Sequence, residues 1–318
     1  MYEKFFGLRE SPFRVNPDPR YLFLTPGIQE ALASLAYGIR GRRGIILLTG
    51  EVGTGKTTLL NMVLDWLRQN RAATAFIFNT HLTTAELFEC LMGDLGISCE
   101  SRSKSEVLMR LNRWLLERYS NGQTAVLIVD EAQSLSDEAL EEIRFLTNLE
   151  TSTEKLLQVV LSGQPELEER LRQPHLRQLR QRITVRCRTN PLSLEETQGY
   201  IAERLRIAGA SNGPIFSPEA VEGIYRHARG IPRVINVLCE HALISAFADQ
   251  EKMVTLAHVE GVAHEFELDR PIAPPSTNSE NLTSVEKVLR DLSTVLERMR
   301  QPVSVGVGSG KESYEPYP

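Results

Sequence analysis

TGEVGTGKTTLL, residues 49–60, lies between the apolar run Ile45-Ile46-Leu47-Leu48 and the helical pattern NMVLDWLRQ. A strand, a glycine-rich turn and a helix in that order satisfy the phosphate-loop pattern GxxxxGK[ST] from Gly50 to Thr57. The chemistry needs these residue types at this spacing. Glycines 50, 53 and 55 permit backbone conformations that turn successive N–H groups inward around phosphate oxygens. Lys56 brings a point charge to the outer phosphates, the Thr57 hydroxyl offers a ligand for magnesium, and the helix N-terminus adds its dipole. The expected nucleotide-contacting set is Gly50, Glu51, Val52, Gly53, Thr54, Gly55, Lys56, Thr57 and Thr58.

A second stretch, AVLIVDEAQSL at residues 125–135, bears on whether the bound phosphate is also cleaved. Its apolar residues form a buried strand, and Asp130 at the C-terminal end emerges beside the loop where magnesium sits. Glu131, the next residue, points elsewhere and is placed to orient and deprotonate an attacking water. Two carboxylates with separable roles, Asp130 for the metal and Glu131 as base, imply hydrolysis of ATP rather than binding alone.

Working outward, residues 41–190 alternate short apolar runs with helical stretches, the pattern of a mostly parallel sheet with crossover helices in an α/β fold. The expected strands are Ile45–Leu48, Thr74–Phe78, Val126–Val129, Leu157–Leu161 and Ile183–Cys187. Residues 1–40 open with an aromatic, proline-rich arm and turn into a helix with Ile28, Leu32, Leu35 and Ile39 on one face. Residues 191–268 carry four helical patterns and no strand pattern, with Ser193 and Ser217-Pro218 as start signals, so a small all-helical lid domain follows the core. Residues 269–281 (DRPIAPPSTNSEN) read as a linker. In residues 282–301, Leu282, Val285, Leu289, Leu292, Leu296 and Met299 form a heptad seam, and residues 302–318 read as a disordered tail.

Composition narrows the setting. Hydrophobic residues make up 42% and charged residues 24%, ordinary for a globular protein with a sizeable core. A formal net charge of -5 argues against a protein that coats nucleic acid by bulk charge. The start lacks the pattern of a secretion signal, and no apolar run approaches the roughly 20 residues needed to span a bilayer. The four cysteines are scattered without a CxxC pair, as expected of reduced thiols in a cytoplasmic protein.

Taken together, the phosphate loop, VDEAQ and the helical segment ending in ARGIPRVINVLC resemble an AAA+ ATPase. More narrowly, the arm FFGLRESPFRVNPDPRYLFL, with YGI, VDEAQ and LSGQPEL, resembles the ATPase domain of ExeA-type proteins of the general secretion pathway, over residues 1–268. The resemblance implies a P-loop sheet followed by a helical lid, use of ATP and Mg2+, and a polar sensor after the fourth strand, with Gln164 ahead of Ser162. It also implies that Arg233 of Gly230-Ile231-Pro232-Arg233 contacts the γ-phosphate, and that an arginine before the fifth strand, Arg182 or Arg180, reaches a neighbouring copy's nucleotide. Asn79, at the end of the second strand, is the counterpart of a residue that holds the catalytic glutamate inactive in several AAA+ proteins; a plain strand-end turn is the other reading. The arm aromatics Phe5, Phe6, Phe13, Tyr21 and Phe23 either pack over adenine or cover a sheet edge.

The implied partners are a second copy in an ATP-dependent homo-oligomer and an envelope secretion or export protein, reached through the heptad helix. Such a partner would hold the chain peripherally at the inner membrane. Two alternatives come from other classes: a DNA-dependent ATPase using the arginines between 170 and 188, and a nucleotide-gated scaffold that hardly cleaves ATP.

Overall fold

The computed structural model describes residues 1–268 apart from 15, 17, 79–81, 99–102 and 212. Asn79, the linker, the heptad seam and the tail therefore lie outside the described residues. The described residues belong to one compact unit.

Alternation along the strands builds the first core. Strands β1 (Ile45–Gly50), β2 (Ala73–Ile77), β3 (Ala125–Val129), β4 (Leu157–Gly163) and β5 (Ile183–Thr189) pair in parallel in the order β2-β3-β4-β1-β5. Ile45 and Leu47 join Leu127, Val129, Val159 and Leu161 on one face, whereas Ile46 and Leu48 join Val126, Ile128 and Val160 on the other. Both faces are covered, which is why these strands read as continuous apolar runs in the sequence. One layer comprises α4 (Thr84–Asp94), α5 (Lys104–Ser120), α6 (Asp137–Leu146), α7 (Pro165–Leu171) and α8 (Arg177–Arg182). The other comprises α2 (Pro26–Arg40) and α3 (Lys56–Gln69).

A second apolar cluster lies in the helices that follow: α9 (Leu194–Ile207), α10 (Pro218–Ala228), α11 (Pro232–Ala248) and α12 (Leu256–Glu265). Ser193 and Ser217 accept hydrogen bonds from Glu196 N and Ala220 N, capping α9 and α10 as their sequence signals predicted. The N-terminal arm, with short helix α1 (Tyr2–Phe5), belongs to this cluster through Tyr2, Phe6, Leu8 and Phe13. Phe5 and Phe6 meet edge to face at 5.0 Å, Phe5 reaches Phe247 at 5.2 Å, and Phe13 reaches Phe216 at 6.0 Å. These three phenylalanines thus serve the helical core; they neither lie over a sheet edge nor line the nucleotide-sized cavity.

The join between sheet and helices requires one glycine in particular. Gly230 has φ 76°, and a Cβ there would lie 1.9 Å from the Leu192 carbonyl oxygen. Its own carbonyl accepts from Leu192 N at 2.8 Å, so the turn from α10 into α11 is clasped to the segment leaving β5.

Candidate active site

The C-terminal ends of β1, β3 and β4 converge, and each delivers polar side chains to the same place. Between β1 and α3 the phosphate loop turns through left-handed conformations at Gly53 (φ 82°) and Gly55 (φ 95°), where L side chains are strained. Gly50 has no such φ, but a Cβ there would meet Thr189 Oγ1 at 2.0 Å, so the loop fits only against a bare α-carbon. Thr54 Oγ1 and Thr189 Oγ1 are 2.7 Å apart and tie the loop to the end of β5.

Lys56 is 5% exposed and curls back onto its loop, donating to Gly50 O at 2.8 Å and Glu51 O at 3.0 Å. Burial lowers its pKa from the ordinary lysine value, opposed by the nearby carboxylates of Glu131, Asp130 and Glu166. An ammonium with three protons and two carbonyl partners, short of solvent, gains from an anion placed beside it.

Asp130 is 4% exposed and fully engaged. Its Oδ2 accepts from Thr57 Oγ1 at 3.0 Å, and its Oδ1 accepts from Ser162 Oγ at 2.7 Å and from Glu131 N at 3.0 Å. A hydroxyl and a carboxylate side by side are the hard oxygen donors that suit magnesium. Glu131 sits in the left-handed region (φ 52°), sparsely populated by residues other than glycine. Its Oε2 accepts from Gln133 Nε2 at 2.5 Å and from Gln164 Nε2 at 3.3 Å.

The loop opens into a cavity of about 410 Å³. Lys56, Thr57 and Glu131 line one part; Tyr21, Phe23 and Ile28 from the arm and α2 line another; Tyr200, Arg204, Arg233 and Asn236 line the helical side. Arg233 N donates to Gly53 O at 3.2 Å, and a Cβ on Gly53 would lie 2.7 Å from Arg233 Cβ, so α11 begins against the loop itself. Of the remaining expected residues, Arg182 is tied within its own chain, Nη1 donating to Thr147 Oγ1 at 2.8 Å. Arg180 is exposed on a different pocket, of about 420 Å³, together with Arg172, Arg186 and Glu168. The structure thus brings together Lys56, Thr57, Asp130, Glu131, Ser162, Gln164 and Arg233, and leaves Arg180 on a separate pocket and Arg182 bonded to Thr147.

Residues 39–171 match the model of the AAA domain family. The chain has an AAA+ fold. The chain is 44% identical over 266 residues to general secretion pathway protein A of Aeromonas hydrophila, an alignment covering 83% of this chain and 48% of that protein. It therefore spans about half the length of the curated relative it matches, and the ExeA-type resemblance read from the motifs is borne out. Among solved structures, Cdc6p of Pyrobaculum aerophilum superposes with a TM-score of 0.59 at 16% identity, covering 83% of this chain and 70% of that one. The ORC2 protein of Aeropyrum pernix gives 0.60 at 18% identity over 80% and 71%. A RuvB mutant from Thermotoga maritima gives 0.51 at 14% over 75% and 68%. At these identities the likeness is one of fold.

Two residues at or beside the cavity carry no role assigned from the sequence. Gln133 stands inside VDEAQ, two residues from Glu131, and its amide reaches back to that carboxylate. Arg204, 6% exposed on α9, donates to Pro12 O at 2.6 Å and Arg14 O at 3.3 Å, and its guanidinium stacks 4.5 Å from the Tyr21 ring centroid. In the sequence Arg204 looks like one more charge on an amphipathic helix; its partners lie some 190 residues away.

Proposed function

We propose that this chain binds ATP with magnesium and hydrolyses it to ADP and phosphate, and that the cycle depends on a second copy. In this reading Lys56 and the loop from Gly50 to Thr58 hold the phosphates. Thr57 and Asp130 would hold magnesium, which would supply positive charge against the phosphates. Glu131 takes a proton from the water that attacks the γ-phosphorus as the bond to the bridging oxygen breaks. Ser162 and Gln164 are the sensor candidates, one bonded to the metal-side carboxylate and one to the base. Arg233 carries the state of the γ-phosphate into the helical segment.

The observation that carries the reading is the single hydrogen-bonded cluster formed by Thr57, Asp130 and Ser162, with buried Lys56 and Glu131 beside it at the mouth of one cavity. For the arginine presented in trans, Arg180 is favoured over Arg182, because Arg182 would have to give up its bond to Thr147. Removing such an arginine costs about 10³ to 10⁵ in rate in related phosphate-cleaving systems. The energy is spent, by likeness to general secretion pathway protein A, on assembling or remodelling an envelope secretion system. Its site of action is then the cytoplasmic face of the inner membrane, reached through a partner. Among the described residues no helix is long and apolar enough to cross a membrane.

The test is Glu131→Gln. Nucleotide binding should persist while turnover falls by about 10² or more. Parental turnover in this variant would remove Glu131 from the role of base.

A further inference from the structure

We propose that Gln133 is the positioning residue that aims Glu131, acting as a two-ended clamp between the base and the end of β4. The inference rests on the hydrolytic reading above. Gln133 Nε2 donates to Glu131 Oε2 at 2.5 Å, while Gln133 Oε1 accepts from Gln164 N at 3.1 Å. Those partners fix which way the amide faces: a carboxylate demands the NH2 end and a backbone N–H demands the oxygen. The clamp is seated from both sides. Gly163 makes room for it, since a Cβ there would lie 2.8 Å from Gln133 Oε1. On the other side Arg170 Nη1 donates to the carbonyls of Gln133 (2.6 Å) and Leu135 (2.8 Å), holding the short turn that bears the amide.

The result for Glu131 is asymmetric. Gln133 and Gln164 both donate to Oε2, and among the described residues Oε1 has no hydrogen bond, so it is the oxygen left to take a proton. Charge-assisted bonds to one oxygen restrict rotation of the carboxylate about its terminal torsion, which is otherwise broad. A left-handed backbone at Glu131 and a held side chain amount to one orientation. Gln164 then acts first on the base, through its backbone N–H and its amide, and Ser162 is the residue bonded to Asp130.

No residue but glutamine of this length satisfies both ends. Methionine has similar length and no donor; glutamate has the same length and places a second carboxylate against the first. The test compares ATP turnover and affinity for a fluorescent ATP analogue in the parent, Gln133→Met, Gln133→Glu and Gln133→Asn, with a thermal melt of each. The clamp requires kcat to fall about 10- to 100-fold in Gln133→Met, the cost of a base displaced by about an ångström, with analogue affinity within about twofold of the parent. Gln133→Glu should be at least as slow despite matching length. Gln133→Asn keeps the amide but stops one methylene short, and should also lose kcat rather than affinity.

Turnover within about twofold of the parent in folded Gln133→Met, or Gln133→Glu as active as the parent, overturns the clamp. So does a loss of affinity in step with kcat, which would mark a structural role. A parent that does not turn over ATP, or that does so equally with Glu131→Gln, sinks the hydrolytic reading first, and that result is separable because it does not involve Gln133.

Discussion

Lys56 shows how a single side chain can be costly to the fold and necessary to the site. Burial holds its pKa below the ordinary value, so across the interval between the folded and unfolded values the unfolded chain binds more protons and stability rises with pH. Below the folded value the penalty is present in full. Lys56→Met should therefore leave the nucleotide-free protein at least as stable at neutral pH as the parent, while abolishing the melting shift that ATP and magnesium produce; calorimetry with and without nucleotide checks both. Lower stability without nucleotide would mean that the bonds to Gly50 O and Glu51 O outweigh burial. Lys56, Thr57 and Asp130 were legible in the sequence because each is dictated by its immediate neighbours: a loop pattern for two, a strand end for the third. Gln133 and Arg204 were not, because their meaning comes from partners on other elements.

At the scale of elements, β1, β3 and β4 could be read because a strand covered on both faces is an apolar run whatever its neighbours, while the edge strand β5 shows itself by alternating apolar and polar residues. Strand ends could not: β1, β4 and β5 each run two residues past the expected end, into Thr49-Gly50, Ser162-Gly163 and Arg188-Thr189, which polarity alone assigns to loops. Those polar extensions are what carry the site. Helices α7 and α8 went unread for a different reason, being 7 and 6 residues long, too short to show a period. Yet α7 braces the site from behind: Glu168 accepts from Thr49 Oγ1 at 2.7 Å and pairs with Arg188 at 2.6 Å, while Arg170 holds the Gln133 turn. Gly230, at the turn into α11, is the position where a small change should cost most. A methyl there meets a backbone oxygen and a left-handed φ together, so Gly230→Ala should destabilise by about 2 kcal/mol or more in urea unfolding. Ser193→Ala, which removes one cap from α9, should cost about 1 kcal/mol in the same measurement.

For the whole molecule, the cavity shows what nucleotide could couple. It is walled by the phosphate loop, by Tyr21 and Phe23 of the arm and by Arg204 and Arg233 of the helices, so a ligand there touches three parts of the chain at once. Arg204 locks arm to helices through Pro12 O and Arg14 O, so arm and helices should move as one body on the sheet. Arg180, the arginine proposed to act in trans, lines a different pocket with Arg172 and Arg186. Arg180 does not line the cavity that Lys56 lines, and the proposed dependence on assembly rests on that separation. Arg180→Ala alone should lose turnover but keep nucleotide affinity, and mixing it with Glu131→Gln should restore activity at junctions where one intact finger meets one intact base.

ATP turnover per chain, followed against protein concentration with magnesium at fixed salt, bears most directly on an ATPase completed by its neighbour. Specific activity that climbs with concentration and then levels off is the predicted result. Substantial turnover that stays constant down to concentrations where the chain sediments as a monomer would contradict it.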